Sequence, residues 1–239
     1  MSVLVVTPTY NERENLPKLA GLLLQQADTR VLVVDDGSPD GTGDLADQLA
    51  AQSGGRLTVL HRTGPRGLGR SYVEGLRVAL GTDADVICQM DCDLSHDPKY
   101  LPSIVAALDR YDMVVGSRYV SGGAVKNWPV HRVILSGFAN RYIRAITGLA
   151  TRDCTGGYRA WRREALARMP FDHAEAGGYA FLTEMIYDAA RLGCRIGEVP
   201  ITFVERQEGY SKLSSGVLME SLLTPWRLVR RGGRIKPVR

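Results

Sequence analysis

Short apolar runs rich in β-branched residues alternate with longer amphipathic stretches along the first half of the chain. Such runs are typical of strands buried on both faces of a parallel sheet, and the stretches between them have helical spacing. The pattern predicts strands at Val3–Val6, Val31–Val34, Leu57–Leu60, Asp85–Met90 and Asp112–Val115, and helices over Leu16–Leu23, Thr42–Gln52 and Leu68–Leu80. This βαβ series predicts an α/β fold with an open, Rossmann-like, mostly parallel sheet flanked by helices.

The second half of the chain has a different pattern. From His131 onward it is helical, and only Ile196–Glu205 again indicates a strand. An apolar helix is expected near Leu213–Leu223, and Pro225 is expected to break or kink it. At the other end of the chain, Asn11 and Glu14 are expected to form a capping box before the first helix. We divide the chain into a main domain, residues 1–212, and a C-terminal helix with a basic tail, residues 213–239.

Composition narrows the class of protein. The 239 residues are 44% hydrophobic and 23% charged, which excludes a disordered chain and allows a sizeable core. Its uncharged stretches fall short of the ~18 apolar residues that a membrane span requires. Met1–Thr9 lacks the features of a secretory signal, so we expect a cytoplasmic protein. The four cysteines form no CxxC pair and are expected to be reduced, buried thiols.

The net charge of +4 comes from one end of the chain. Pro225–Arg239 holds six basic residues and no acidic one, and without those six the chain has 24 basic and 26 acidic residues. A basic end of this kind suits an anionic membrane surface or a nucleic acid, and a solvated tail is an equally good interpretation.

Polar side chains follow four of the predicted strands, where open α/β sheets bind their ligands. The segments are Thr7–Glu12, Asp35–Gly41, Asp91–Asp93 and Gly116–Arg118. No GxGxxG follows the first strand, which argues against a dinucleotide site. Asp91 and Asp93 could hold Mg²⁺ or Mn²⁺, although an isolated DxD is more often a turn; the core strand before it and the neighbouring Asp35–Asp36 pair favour a metal. Asp97 before Pro98 is predicted to be a helix N-cap.

Ordered motifs along nearly the whole chain carry a family resemblance. They are PTYNE at Pro8–Glu12, DDGSPDGT at Asp35–Thr42, DCDLSH at Asp91–His96, GSRY at Gly116–Tyr119, TGGYR at Thr155–Arg159, and later segments through Ser211–Lys212. The chain resembles family 2 glycosyltransferases of GT-A fold, most closely polyprenol (dolichol) phosphate mannose synthases. The resemblance implies a GT-A domain with a helical C-terminal extension. It also implies inverting transfer of mannose from GDP-mannose to a polyprenyl phosphate, with Mg²⁺ or Mn²⁺, at the cytoplasmic face of a membrane.

The resemblance also assigns residues. It implies metal ligands at Asp91 and Asp93, with Ser95 as a third candidate where some relatives have Gln, and catalytic roles for Asp93 and Arg118. The acceptor phosphate would bind Arg118, Arg132 and Ser136. The nucleotide sugar would contact Pro8, Tyr10, Glu12, Val34, Asp36, Asp91, Cys92, Asp93, Arg118, Arg206 and Lys212. No catalytic histidine is required, and His96 is the one nearest the metal segment.

Other functions stay open at this point. A nucleotidyltransferase would be expected to have a Gly-rich basic loop after the first strand, and Pro8–Glu12 is a poor match for one. A non-catalytic nucleotide-sugar sensor could lack acceptor residues, yet Arg118, Arg132 and Ser136 are present. A UDP-glucose or UDP-N-acetylhexosamine donor, or a phosphate acceptor other than a polyprenyl phosphate, fits the same motifs. We expect peripheral contact with a membrane and no nucleic acid, and leave open a membrane-anchoring partner protein or a homo-oligomer.

Overall fold

A seven-stranded, mostly parallel sheet forms the centre of the molecule. The computed structural model describes residues 1–171, 179–205 and 215–235. Its strands are β1 (Val3–Thr9), β2 (Thr29–Asp35), β3 (Leu57–His61), β4 (Val86–Gln89), β5 (Met113–Ser117), β6 (Ala124–Lys126), β7 (Arg159–Arg162), β8 (Ile196–Pro200) and β9 (Thr202–Val204). The large sheet has the order β3-β2-β1-β4-β7-β5-β8, and β6 pairs with β9 in a small second sheet. Only β7 runs antiparallel within the large sheet as described.

Helices cover both faces of the sheet, because alternate residues of a strand point to opposite sides. Leu4 and Val6 of β1 belong to one buried cluster and Val3 and Val5 to the other. The helices are α1 (Leu16–Leu24), α2 (Thr42–Gln52), α3 (Leu68–Leu80), α4 (Leu101–Ala107), α5 (Val130–Thr147), α6 (Arg163–Leu166), α7 (Tyr179–Arg191) and α8 (Ser215–Gly232). A 3₁₀ turn, Pro98–Tyr100, precedes α4.

The order of the strands determines where a site can form. From β1 the chain crosses to β2 on one side, and β4 pairs with the other side of β1. In open α/β sheets such a reversal leaves a crevice beyond the carboxyl ends of the two strands. The segments after β1 and β4, which begin with Tyr10 and Met90, therefore lie at this crevice.

The strands and helices predicted for the first half of the chain are confirmed, although the ends of several of them differ from the prediction. The helices α2 and α3 have the predicted bounds, and Asp97 caps the 3₁₀ turn by accepting the Lys99 N–H (3.0 Å). The predicted capping box is wrong, because α1 begins at Leu16 and Asn11 has a positive φ of 60°. Instead, the Asn15 amide donates to Glu12 (2.8 Å).

The predictions for the second half needed larger corrections. Ile196–Glu205 is not one strand, since β8 joins the large sheet and β9 the small one. Pro225 does not end the last helix, because α8 continues through it. Thr224 and Pro225 lie on the buried side of α8, and Leu228 enters the core, so packing offsets the backbone hydrogen bond that proline cannot donate.

Two further expectations concern the chain as a whole. Cys88, Cys92 and Cys154 are buried free thiols, as expected, whereas the free thiol Cys194 is only half-buried. Among the helices of the described residues, none has the length and apolar character that crossing a bilayer requires. The boundary between residues 212 and 213 lies outside the described residues, so the two-part division stays a prediction.

Candidate active site

Asp91 and Asp93 lie at the carboxyl end of β4, beside the crevice. Asp91 is partly exposed, and its Oδ1 accepts a hydrogen bond from the Tyr72 hydroxyl (2.7 Å). Asp93 is buried, and its Oδ1 accepts hydrogen bonds from the backbone N–H (3.1 Å) and the hydroxyl of Ser95. Leu94 turns the chain with a φ of 59°. The two carboxylates are therefore held by neighbours rather than carried on a loose turn.

A glycine at position 157 keeps a side chain away from the Asp91 carboxylate. Gly157 lies so close that a Cβ there would be 3.2 Å from the Asp91 Oδ2. Burial and the Asp91 carboxylate raise the pKa of Tyr72 well above its ordinary value, so its hydroxyl remains a donor to Asp91. Arg159 is fully buried and donates to the carbonyls of Cys154 (3.3 Å) and Gly156 (2.8 Å), which fixes the loop that carries Gly157.

This arrangement fits a hard divalent cation. Carboxylate oxygens are the ligands that Mg²⁺ and Mn²⁺ prefer, and both ions commonly complete their shells with water and phosphate oxygens. Ser95 directs its hydroxyl to Asp93, so the structure gives it an orienting contact, and its role as a third ligand stays a prediction. The described residues contain no cluster of three or more His, Cys, Asp and Glu side chains suited to a metal. Asp91 and Asp93 would therefore hold such an ion with help from the substrate.

Asp36 lies at the end of β2 and is built into a network. One of its carboxylate oxygens pairs with Arg62, and the other accepts the Gly67 N–H (2.8 Å). Arg62 also pairs with Glu74 (2.7 Å) and donates to Ser71 (3.1 Å). The carboxylate is thus oriented by two elements, and its predicted contact with a guanine or ribose edge stays a prediction.

The other residues predicted for the nucleotide pocket have different surroundings. Arg66 donates to the Tyr10 hydroxyl and lies over its ring, with the guanidinium carbon 4.9 Å from the ring centroid. Glu12 is half-buried and its backbone N–H donates to Thr42 (3.0 Å). Pro8 is buried within β1, beside Val34 of β2.

Val34 and Cys92 do not present side chains to an open site. Val34 is fully buried in the core on the α3 side of the sheet, and Cys92 is buried among apolar residues on the other side. Burial raises the pKa of the Cys92 thiol well above its ordinary value. Only the backbones of these two residues remain candidates for a contact with a nucleotide sugar.

Arg118 follows β5 and forms an ion pair with a buried carboxylate. Its guanidinium makes a two-pronged contact with Asp153, from Nε (2.8 Å) and Nη2 (2.7 Å), and Nη2 also donates to Thr155 (2.8 Å). Burial disfavours the charged form of Asp153, but the Arg118 charge and hydrogen bonds outweigh it and lower the pKa of Asp153. Arg118 therefore has an internal partner, and its role toward an acceptor phosphate stays a prediction.

Arg132 and Ser136 lie near Arg118, as the sequence interpretation requires. Trp128 lies between the two arginines, with guanidinium carbons 5.6 Å (Arg118) and 4.1 Å (Arg132) from its ring. Arg132 pairs with Glu205 (2.6 Å), and Ser136 accepts a hydrogen bond from the Tyr119 hydroxyl (2.7 Å). The three predicted acceptor residues thus belong to one group of contacts.

An aromatic series connects this group to the carboxylates. The His96 ring lies 5.4 Å from Phe203, which lies 5.3 Å from Trp128. On its other side His96 lies 5.4 Å from Tyr158, and its Nδ1 accepts the Asp91 N–H (3.2 Å). His96 is buried and packs the two halves of the site together.

Arg206 and Lys212 lie outside the described residues, so their predicted contacts with the donor diphosphate remain predictions. The described part of the site also includes groups that sequence reasoning missed: Tyr72, Arg62, Trp128, Asp153 and Gly157. The TGGYR motif at Thr155–Arg159 was a signal for Gly157. Tyr72, Trp128 and Asp153 reach the site through tertiary packing, for which the chain has no local signal.

Comparison with known proteins identifies the family. The model of the family described as glycosyl transferase family 2 matches residues 4–169. The chain belongs to glycosyl transferase family 2. An undecaprenyl-phosphate mannosyltransferase of Micrococcus luteus is 47% identical over 97% of this chain and 96% of its own length. A polyprenol monophosphomannose synthase of Mycolicibacterium smegmatis is 43% identical over 98% of this chain and 90% of its own length.

Solved structures agree with the fold of a family 2 glycosyltransferase. Mannosyl-3-phosphoglycerate synthase from Rubrobacter xylanophilus matches with a TM-score of 0.70 and 20% identity, over all of this chain and 77% of that one. Glucosyl-3-phosphoglycerate synthase from Mycobacterium tuberculosis, solved with Mn²⁺, UDP and glucosyl-3-phosphoglycerate, matches with a TM-score of 0.64 and 20% identity, over 98% of this chain and 81% of that one. At this identity the likeness concerns the fold, which confirms the predicted GT-A architecture.

Proposed function

We propose that this family 2 glycosyltransferase transfers mannose from GDP-mannose to a polyprenyl phosphate, with inversion, giving β-linked polyprenyl phosphate mannose. Two relatives support the substrate class, and each aligns over nearly the full chain. One is named as an undecaprenyl-phosphate mannosyltransferase and the other as a polyprenol monophosphomannose synthase. The observation that carries the proposal is the single connected group of contacts that joins the carboxylate pair Asp91 and Asp93 to the arginine pair Arg118 and Arg132.

The arginine end suits a phosphate acceptor. Guanidinium groups bind phosphate oxygens in pairs, and the Ser136 hydroxyl adds a hydrogen-bonding group. Arg132 is the more accessible of the two arginines, since its side chain is partly exposed and its partner Glu205 lies at the edge of the described chain. A phosphate monoester has a second pKa of about 6 and is mostly a dianion at neutral pH, so it can attack without a strong general base.

The carboxylate end suits the donor diphosphate. When bound, Mg²⁺ or Mn²⁺ would compensate the charge that develops on the departing nucleoside diphosphate. Tyr72 and Ser95 orient the two carboxylates, and Gly157 leaves room for a substrate close to Asp91. Arg206 and Lys212 are proposed to add positive charge at the diphosphate. Attack from the side opposite the leaving group converts an α-linked donor into a β-linked product.

A polyprenyl phosphate resides in a membrane, so we propose peripheral association with the cytoplasmic face of a bilayer. Metal dependence, the guanine nucleotide and a role in glycolipid synthesis or protein mannosylation belong to the same proposal. The relatives' names supply the acceptor class, and the donor nucleotide rests on the resemblance of the pocket motifs at Pro8–Glu12 and Asp35–Thr42.

A donor-by-acceptor activity screen tests this function. The purified chain is mixed with GDP-mannose, GDP-glucose, UDP-glucose or UDP-N-acetylglucosamine, and with a short polyprenyl phosphate, a long one or 3-phosphoglycerate, with Mg²⁺, Mn²⁺ or a chelator. We expect product only with GDP-mannose, a polyprenyl phosphate and metal, and a β-anomeric linkage by NMR. Faster transfer from a UDP-sugar, or to 3-phosphoglycerate, would contradict the proposal and favour the corresponding alternative.

A further inference from the structure

The outer side of α5 carries a stripe of exposed apolar residues. Val130, Ile134 and Phe138 are 75%, 66% and 61% exposed, and their spacing of four residues aligns them along the helix. The opposite side of the same helix is buried through Asn140, Ile143 and Thr147. Helices of globular proteins usually present polar residues to water, and contiguous exposed apolar patches mark interaction sites.

The outer side of α8 continues this surface. Met219, Leu222, Leu223 and Trp226 are all exposed, with Trp226 at 59%, while Thr224 and Leu228 are buried on the other side. Tyr142 of α5 joins the two helices: its hydroxyl donates to the Leu222 carbonyl (3.0 Å) and accepts the Trp226 indole N–H (2.9 Å). The two stripes therefore lie side by side. We call this surface the α5–α8 face: Val130, Ile134, Phe138, Met219, Leu223 and Trp226.

An arginine-lined cleft adjoins the α5–α8 face. Arg141 and Arg144 of α5, Arg191 of α7 and Arg234 line it, around Gly148. Arg141 lies seven residues after Ile134 and one turn beyond the apolar stripe, on the same exposed side of α5. Within the described part of the chain, none of these four arginines forms an ion pair with a carboxylate. Such a group of uncompensated guanidinium groups is suited to phosphate anions.

We propose that the α5–α8 face and the arginine cleft together form a docking surface for an anionic lipid bilayer. The apolar side chains enter the boundary between head groups and acyl chains, Trp226 lies at the interface, and the arginines contact lipid phosphates. Charge favours an anionic bilayer over a second copy of the chain as the partner. A second copy docked through the same surface would place its own unpaired arginines against these arginines. An anionic leaflet offers acyl chains for the apolar residues and phosphate groups for the arginines.

Docking through the α5–α8 face also places the proposed acceptor site near the membrane surface. Arg132 and Ser136 occupy the first two turns of α5, on the side that contacts Glu205 and Tyr119. Docking through Val130 and Ile134 of the same turns brings that end of the site to the head-group level. This step rests on the proposed function, since it matters only for an acceptor whose phosphate lies at a membrane surface.

Vesicle binding without any substrate tests the surface independently of the reaction. The full chain is sedimented with phosphatidylcholine vesicles containing about 30% phosphatidylglycerol, or none, at about 0.05 and 0.5 M KCl. The apolar variants are Ile134→Ser with Phe138→Ser, and Met219→Ser with Leu223→Ser. The charge variant is Arg141→Gln with Arg234→Gln. Matched controls are Leu22→Ser with Val78→Ser and Lys18→Gln with Arg110→Gln, which change exposed residues of α1, α3 and the loop after α4.

We expect the parent and both controls to bind the anionic vesicles at low salt. Each apolar pair should weaken partitioning about tenfold or more, because interfacial binding scales with the buried apolar area. The charge pair should weaken it about fivefold for each arginine, and only for anionic vesicles at low salt. All variants should keep the parent's transfer rate on a short acceptor dispersed in detergent.

Two results would overturn the proposal. One is equal partitioning of the parent, the apolar pairs and the controls. The other is a concentration-dependent dimer in light scattering that the apolar pairs abolish, with no vesicle binding, since that would assign the face to a second copy. Normal vesicle binding with no transfer to any polyprenyl phosphate would instead contradict the proposed function and leave the docking surface intact.

Discussion

Asp91 and Asp93 differ in surroundings, but the metal-binding role proposed for them requires negative charge on both side chains. We expect Asp91→Asn and Asp93→Asn to lower the transfer rate about a hundredfold or more, because the amide keeps the shape of the side chain and removes its charge from the metal. Thermal unfolding should show that both variants fold. Asp109→Asn, at an exposed position after α4, is the matched control and should retain the parent rate. Parent-like activity of either variant with unchanged metal dependence would refute the ligand assignment.

Arg132 gives a cleaner test of acceptor binding than Arg118. Removing Arg118 would leave the buried Asp153 charge without its partner, which is expected to cost about 3–5 kcal/mol of stability. Arg132 is partly exposed and pairs with a partly exposed Glu205, so Arg132→Ala should fold normally. We expect it to raise the acceptor KM while calorimetry finds the parent affinity for GDP. Lost GDP affinity with unchanged acceptor kinetics would assign Arg132 to the donor side.

Glu184 of α7 is expected to make stability depend on pH. Burial, with Asp188 and Glu220 nearby, raises its pKa to about 7, against the opposing effect of Arg231 and Arg227. Between the ordinary pKa of 4.5 and about 7, the folded chain holds a proton that the unfolded chain has lost. Stability contributed by the neutral form is therefore present at low pH and is lost as the pH rises through this range.

The variant Glu184→Gln tests this expectation, because glutamine keeps the neutral shape at every pH. Its Tm should match the parent near pH 4.5 and exceed it at about pH 8. The exposed Glu164→Gln serves as the control and should differ from the parent by the same small amount at both pH values. A constant difference for Glu184→Gln across the pH range would show that burial does not perturb this carboxyl.

At the scale of elements, α3 packs on the sheet through a glycine. A Cβ at Gly75 would lie 2.6 Å from Val6 and 2.7 Å from Val34, both fully buried side chains of the central strands. We expect Gly75→Ala to destabilise the fold by about 1–3 kcal/mol, since overpacked cores must shift. Gly21→Ala in α1 is the control: a Cβ there meets nothing within 4 Å, so helix propensity should stabilise it by up to about 1 kcal/mol. Urea unfolding measures both, and an unchanged midpoint for Gly75→Ala would mean that α3 can move away.

Elements with a strong local pattern could be predicted, and elements defined by distant partners could not. Thr42–Gln52 and Leu68–Leu80 have apolar spacing that specifies a helix, and their bounds are confirmed. β7 was missed because its four residues have no alternating pattern, and it is defined by antiparallel pairing with β4 and β5. The prediction for Pro225 considered only the local effect of proline, which is to break or kink a helix. In the structure α8 continues through Pro225 because the helix packs against the rest of the molecule.

At the scale of the whole molecule, the site is assembled from residues far apart in the chain. The sequence singled out Asp91, Asp93, Arg132 and Ser136 as candidates, because strand ends and family motifs carry a local signal. It could not identify the contacts that join them. Phe203 and Trp128 are brought together by the small sheet of β6 and β9, which pairs strands almost eighty residues apart. Such pairing depends on register rather than on composition.

The basic end of the chain is partly built into the body of the molecule. The Ile235 N–H donates to the Thr147 carbonyl (2.7 Å), and the Tyr187 hydroxyl donates to the Gly233 carbonyl. The solvated-tail interpretation therefore does not extend to the backbone of residues 233–235, which is hydrogen-bonded to the body of the molecule. A deletion from Gly232 onward would remove packed residues, so a test of the tail must begin after Ile235.

Deleting residues 236–239 removes Lys236 and Arg239 and leaves the α5–α8 face and its cleft intact. If these charges contact the membrane, partitioning into anionic vesicles at low salt should fall about fivefold for each charge lost. The difference should vanish at about 0.5 M salt, where charges are screened beyond a few ångströms. Lys236→Gln with Arg239→Gln keeps the chain length and should behave like the deletion, while both variants retain the parent rate on a short dispersed acceptor. Unchanged vesicle partitioning of the deletion and of the double substitution would mean that the last four residues do not contact the bilayer. Any salt-sensitive binding would then be assigned to the four arginines that line the cleft, two of α5, one of α7 and Arg234.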